Sequence, residues 1–261
     1  DNLIAVDATA SEEIIKNYIP LIQNGFSIVA ANKKANTLHS DFYKELRRNL
    51  QKFDQSFLYE TNVGAGLPVV QTINELYLSG EKITKIRGVF SGSLSYIFNR
   101  FGNENSTFSS ILQEAEKSGY TEPDSREDLS GNDVARKLLI LAREIGIQRE
   151  FSDVQISSLL LPDLNEENTK AEYASNQQLL DKPYEIAKIT QAEKHVLRYV
   201  GELDVINQKL EVKLISTPIN SALGQLKGAD NLIEIYTKSY GEIPIVIQGA
   251  GAGKQVTARG V

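Results

Sequence analysis

The sequence contains no cysteine, no methionine and no tryptophan, and only two histidines in 261 residues. Without cysteine there is no disulfide framework, no thiolate metal centre and no cysteine nucleophile. His39 and His195 are isolated, without metal-ligand spacing or a serine and aspartate catalytic arrangement, so structural or surface roles are expected of both. Long apolar runs are missing too: Leu138 to Ala142 and Ile243 to Ile247 fall far short of the ~20 residues that cross a bilayer. Basic clusters are absent, since 28 Lys and Arg are scattered among 34 Asp and Glu for a net charge of −6. Neither a membrane nor a nucleic acid is an expected partner. With no basic-then-apolar leader, the default compartment is the cytoplasm. A start at Asp1-Asn2-Leu3 in a chain without methionine is expected of a piece of something longer.

What is present is the balance of a folded protein with a full-sized core: 41% of the residues are hydrophobic and 24% charged. The first third alternates short apolar runs with amphipathic ones. Leu3-Ile4-Ala5-Val6 reads as a strand, Ser11 to Gly25 as a helix opened by Ser11 with Glu12 and Glu13 in its first turn, and Phe26 to Ala30 as a second strand. A helix over Asp41 to Gln51 and a third strand from Phe57 follow. Such β-α-β units build a parallel sheet whose ligands sit beyond the carboxyl ends of the strands. Lys82 to Phe90 alternates like a half-buried strand. Helices are expected over Ser93 to Arg100, Thr107 to Lys117 and Asp133 to Ile145, then strands over His195 to Gly201, Leu210 to Ile215, Asn231 to Lys238 and Ile243 to Ile247. Leu164 to Glu172 reads as a surface loop or insertion. The fold class is therefore α/β: β-α-β units on a parallel sheet, followed by an α+β second domain.

The three strand ends, at Asp7 to Ser11, Ala30 to Lys34 and Glu60 to Pro68, would line one crevice. Each alone has a plain explanation as a helix cap, a solvated lysine or a glycine turn; their shared location favours a binding site. The loop Gly249-Ala250-Gly251-Ala252-Gly253-Lys254 is neither a Walker motif nor G-x-G-x-x-G, because its glycines are misplaced for both. It is a strand running into a glycine turn and a helix start, which lets backbone N–H groups approach a ligand. Ser91-Gly92-Ser93 resembles a helix start more than a nucleophile elbow. The most informative segment is Gly119 to Lys137. It places five charges ahead of a strongly apolar helix, and it puts Asp133 and Lys137 four apart on one helix face. A surface ion pair is the plain reading. Leu138 to Ala142 follow at once, however, so the helix is buried nearly all round and Lys137 points into a semi-buried place among Glu122, Asp128 and Asp133. There it is able to give a proton to a reacting oxygen.

Asn32-Lys33-Lys34, Tyr59 to Pro68, Ser91 to Tyr96 and Gly119 to Lys137 together resemble homoserine dehydrogenase, especially the dehydrogenase part of the bifunctional aspartokinase/homoserine dehydrogenases. The resemblance runs from about Val6 to Val261. It implies a partial Rossmann-type dinucleotide-binding unit, 1–64 with 249–261 returning to it, joined to an α+β substrate and dimerisation domain, 65–248. It implies reversible NAD- or NADP-dependent interconversion of aspartate 4-semialdehyde and homoserine, on the aspartate route to threonine, methionine and isoleucine. By that resemblance Lys137 matches the proton donor and acceptor, and Lys33 a lysine touching both cofactor and substrate. Glu122, Asp128 and Asp133 match substrate-binding carboxylates. Thr9, Ser91, Gly119 and Gly251 match cofactor contacts. Glu60, Val63, Ala65 and Leu67 match a monovalent-cation (sodium) site made largely of backbone carbonyls. A homodimer or larger homo-oligomer is implied, with an aspartokinase fused upstream as a further possibility. The family's first strand, its G-x-G-x-x-G turn and its ribose-reading strand have no counterpart before Val6. Two readings follow: an active dehydrogenase, or a catalytically silent fragment that folds and pairs without productive coenzyme binding.

Overall fold

The computed structural model describes residues 2–165 and 167–261. The first unit runs β1 (Leu3–Asp7), α1 (Glu12–Ile15), α2 (Tyr18–Gln23), β2 (Phe26–Ala30), α3 (Ser40–Lys52) and β3 (Phe57–Leu58). Its strands form a parallel three-stranded sheet in the order β1-β2-β3. The helix expected from Ser11 to Gly25 is broken into α1 and α2. Pro20 has no N–H and its ring crowds the carbonyl four residues back, so a continuous helix fails there, whereas the first turn of α2 accommodates it. Ser11 does cap α1, its side chain accepting from the Glu13 N–H. Ile15, Tyr18, Ile22, Ile28 and Leu46 close a small core between helices and sheet.

The chain continues through α4 (Val69–Leu78), β4 (Ile83–Val89), α5 (Gly92–Asn103), α6 (Phe108–Lys117), α7 (Arg126–Leu129), α8 (Asn132–Glu144), β5 (Gln155–Ile156), α9 (Lys170–Asn176) and α10 (Asp181–Thr190). It ends with β6 (His195–Asp204), β7 (Lys209–Pro218), α11 (Ala222–Gln225), β8 (Asp230–Thr237), β9 (Ile245–Ala250) and α12 (Lys254–Gly260). Six strands pair in the order β5-β7-β6-β4-β8-β9. All of these pairings are antiparallel except β5 with β7.

The segment expected to be a surface loop, 164–172, is partly structural. Leu164 is buried in the main core, and Thr169 with Glu172 forms a capping box that starts α9. Apolar residues downstream of the polar run give the next helices something to pack on; residue 166 lies outside the described residues.

Helix α8 is the axis of the second unit. Leu138, Leu139, Leu141 and Ala142 are completely buried, each leucine contributing ~1.5–3 kcal/mol of apolar burial. Its start depends on Gly131, which stands at φ 78°. A Cβ there would lie 2.2 Å from the Tyr199 hydroxyl. Near its other end Arg143 donates to the carbonyls of Asn36 (2.9 Å) and Leu38 (2.8 Å) in the first unit. α8 therefore belongs to one sheet and is bolted to the other.

Candidate active site

A cleft of about 510 Å³ opens where the carboxyl ends of β1 and β2 face the starts of α5 and α8. Thr9, Asn32, Lys33, Ser91, Glu122, Asp128 and Asp133 line it. The convergence expected from Lys33, Glu122, Asp128, Asp133 and Lys137 is thus realised, with Lys137 set just behind the wall.

One carboxylate organises the site. Asp133 Oδ2 is 2.7 Å from Lys137 Nζ, one helical turn along α8, and Asp133 Oδ1 is 3.4 Å from Lys33 Nζ, which comes from the loop after β2. Burial pushes the Asp133 carboxyl up, but the ammonium groups of Lys137 and Lys33 outweigh it and hold it well below the usual carboxylate range. Lys137 Nζ also donates to the Phe90 carbonyl at 2.7 Å. Two of its three N–H bonds are therefore committed to the protein.

Asp128 is held differently. Its carboxylate accepts from Ser93 Oγ (2.5 Å) and from the Glu122 N–H (2.9 Å). Ser93 Oγ in turn lies 2.8 Å from Ser91 Oγ. Burial raises the Asp128 carboxyl, these two hydrogen bonds lower it, and the charges of Glu122 and Asp133 raise it again, leaving it at about 6. Ser91 is the N-cap of α5, its side chain accepting from the Leu94 N–H, as its helix-start reading required.

The strand-end loops are fixed by a residue that sequence patterning passed over. Buried Asp7 accepts from the Tyr18 hydroxyl (2.6 Å), Asn32 Nδ2 (3.0 Å) and the Thr9 N–H (2.8 Å). Asn32 Nδ2 also donates to the Ser11 carbonyl at 3.0 Å. Thr9 and Lys33 both line the cleft from these loops. Burial raises the Asp7 carboxyl, but the Tyr18, Thr9 and Asn32 donors carry it below its ordinary value. The sequence did show an acidic residue at a strand end; what it hid was the tyrosine eleven positions on that makes it a hub.

Gly119 and Gly251 do not line the cleft. Gly119, exposed at φ 71°, closes the end of α6, where a left-handed residue is needed. Gly251 lies behind the wall, so close to Asn231 that a Cβ would stand 2.0 Å from its amide. The loop expected to bind a cation is well defined. Glu60 accepts from the N–H groups of Val70 and Gln71 at 2.9 Å each and so caps α4. Val63 and Ala65 are buried, Leu67 is partly so, and α12 packs on this turn through Gly260. Among the described residues no cluster of three or more His, Asp or Glu side chains is placed to hold a metal ion. His39 caps α3 and His195 bonds Ser216, both away from the cleft. Among the described residues no helix is long and apolar enough to cross a membrane.

Comparison with known proteins agrees with this geometry. The family model for homoserine dehydrogenase matches residues 68–261, and the model for the homoserine dehydrogenase NAD binding domain matches residues 1–60. A homoserine dehydrogenase of Emericella nidulans is 40% identical over 99% of this chain and 73% of its own length. The bifunctional aspartokinase/homoserine dehydrogenase of Haemophilus influenzae is 41% identical over the whole chain, which spans 32% of that relative. This chain thus covers about a third of the length of the first bifunctional relatives it matches. A putative homoserine dehydrogenase from Archaeoglobus fulgidus superposes with a TM-score of 0.80 at 26% identity, covering 100% of this chain and 72% of that one. A hyperthermophilic archaeal homoserine dehydrogenase in complex with NADPH shares the fold, with a TM-score of 0.74 at 23% identity over 98% of this chain and 68% of that one. With family models covering nearly every residue and a two-lysine cleft between the two matched regions, the chain belongs to the homoserine dehydrogenase family.

Proposed function

We propose that this chain interconverts L-aspartate 4-semialdehyde and L-homoserine with NADP or NAD as coenzyme. The observation that carries the reading is the Asp133 carboxylate set between two ammonium groups, Lys137 from α8 and Lys33 from the loop after β2. With Phe90 and Asp133 holding two of its N–H bonds, Lys137 has a third for a substrate oxygen. Lys137 Nζ gives its proton to the aldehyde oxygen as the alcohol forms, and takes one from the alcohol in the reverse direction. Lys33 adds a second positive charge at the mouth, where negative charge on that oxygen develops. Glu122 and Asp128 face the same cleft and suit the substrate ammonium group. A bound nicotinamide supplies the hydride to the aldehyde carbon or takes it back. Thr9, Ser91 and Lys33 fit the reactive end of such a coenzyme, lying beyond parallel strand ends and at a helix start. Gly119 and Gly251 would act from outside the cleft wall. In this reading 1–64 with 249–261 form the coenzyme side and 65–248 the substrate and pairing side. Sodium on the turn of Glu60, Val63, Ala65 and Leu67 would rely on backbone carbonyls, since the Glu60 carboxylate already caps α4.

The test is NADPH oxidation with L-aspartate 4-semialdehyde and NADP reduction with L-homoserine, repeated with NADH and NAD. Turnover in both directions supports the reading. A folded protein that turns over neither substrate would overturn it in favour of a silent, pairing role.

A further inference from the structure

Asn231, on β8, is completely buried beneath the cleft. Its Nδ2 donates to the Phe90 carbonyl at 3.1 Å, the same oxygen that receives Lys137 Nζ at 2.7 Å, and approaches the Gly251 carbonyl at 3.4 Å. Its Oδ1 has no partner. A buried amide that leaves its own acceptor unmatched is costly to keep unless its donor side has a task. The orientation is dictated by the surroundings, because two carbonyl oxygens face the Nδ2 side and would repel Oδ1. Gly251 fits the same design: with a side chain it would collide with the Asn231 amide.

We propose that Asn231 is a positioning residue for Lys137. It fixes the Phe90 carbonyl against which the lysine is aimed and ties that carbonyl to the glycine loop between β9 and α12. The inference rests on Lys137 as proton donor, and it predicts that the lysine loses its aim, not its charge, when Asn231 is replaced. A misaimed donor lowers kcat and leaves substrate KM nearly unchanged, since the carboxylates facing the cleft are untouched.

The experiment uses Asn231→Leu, whose side chain branches at the same carbon and removes the unmatched oxygen, and Asn231→Asp. For Asn231→Leu, kcat should fall ~10- to 100-fold, the scale of a misplaced catalytic group, with little change in KM or melting temperature. For Asn231→Asp, turnover relative to wild type should rise as pH falls, because a protonated carboxyl again donates to the Phe90 carbonyl while the carboxylate does not. The charged groups nearest that carbonyl are Lys137 and, through it, Asp133 on α8. A coenzyme-free readout accompanies these: trace acetylation of Lys137 followed by peptide mass analysis, with exposed Lys16 as internal reference. Loss of one ordinary hydrogen bond behind the lysine should change its labelling rate about threefold or more in Asn231→Leu. Unchanged labelling together with wild-type kcat in both variants overturns the proposal. Altered labelling in a protein that never turns over wild-type substrate keeps the positioning role and removes the proposed reaction instead. Should Asn231→Leu fail to fold, the pH trend of Asn231→Asp decides, and a flat ratio overturns the proposal.

Discussion

Replacing Asp133 by asparagine keeps the size of the side chain and deletes the one charge that two lysines share. The contact to Lys137 is short, at 2.7 Å, and its lysine side is 10% exposed, whereas the Asp133 side chain itself is 45% exposed. Solvent therefore screens part of the attraction, and the full low-dielectric figure does not apply. A hydrogen bond to a charged group is worth about 1.5–3 kcal/mol, and the more open contact to Lys33 at 3.4 Å adds at most ~1 kcal/mol. If 2–3 kcal/mol of this is expressed in aiming the ammonium at the reacting oxygen, kcat falls by about 30- to 150-fold. Stability falls by a similar ~1–3 kcal/mol, because the Lys137 ammonium loses its counter-charge in a mostly buried place. The assay is steady-state NADPH oxidation by Asp133→Asn beside a thermal melt. Glu13→Gln serves as reference, since it breaks an ion pair whose two partners are 70% and 77% exposed. That reference should be silent in both measurements. Wild-type turnover by a folded Asp133→Asn protein would refute the idea that this carboxylate organises the site.

Lys137→Ala should lower turnover by ~10²-fold or more while coenzyme titrations stay near wild type, because the lysine sits on α8, on the side of the cleft proposed to take the substrate; near wild-type turnover would remove it as proton donor. Asp128, raised to about 6 from an ordinary 3.8, favours the folded state when protonated, so its stabilising contribution is complete below about pH 4 and disappears as pH rises through 6. Asp128→Asn should therefore gain stability relative to wild type across that window, by roughly 2 kcal/mol at its upper end, and denaturant midpoints that move in parallel at pH 4 and pH 7 would contradict the assignment. Gly131→Ala combines a left-handed backbone with a Cβ 2.2 Å from the Tyr199 hydroxyl. It should cost ~2–4 kcal/mol and be read as a lower melting temperature together with lost activity, because α8 starts there.

The parts of the molecule legible in the sequence are those written in local chemistry. Strand β2 (Phe26–Ala30) and helix α8 announced themselves because apolar periodicity is a nearest-neighbour property. The Asp133 and Lys137 pair was visible for the same reason, four residues apart on one turn. Lys33 was visible only as a strand-end residue and by resemblance, for nothing local says that it meets a carboxylate 100 positions later. Asn231 and the Phe90 carbonyl escaped altogether: one reads as an ordinary polar residue in a strand, and the other is a backbone atom with no sequence signature. Gly119 was visible by resemblance alone, and its place at the end of α6 at φ 71° is what the local sequence explains.

The double attachment of α8 turns the helix into a lever. Asp133 near one end grips Lys33, and Arg143 near the other grips Asn36 and Leu38. Ten residues separate the two grips, about 15 Å of helix axis. A tilt of only about 5° around the Arg143 end swings Asp133 by about 1.3 Å, enough to part an ion pair from contact. The tolerance of the chemistry is thereby set at the far end of the helix, where no atom touches a substrate. Substitutions at Arg143, or at Glu144 whose carboxylate receives the Tyr59 hydroxyl at 2.5 Å, should register as kinetic defects in a cleft they never reach.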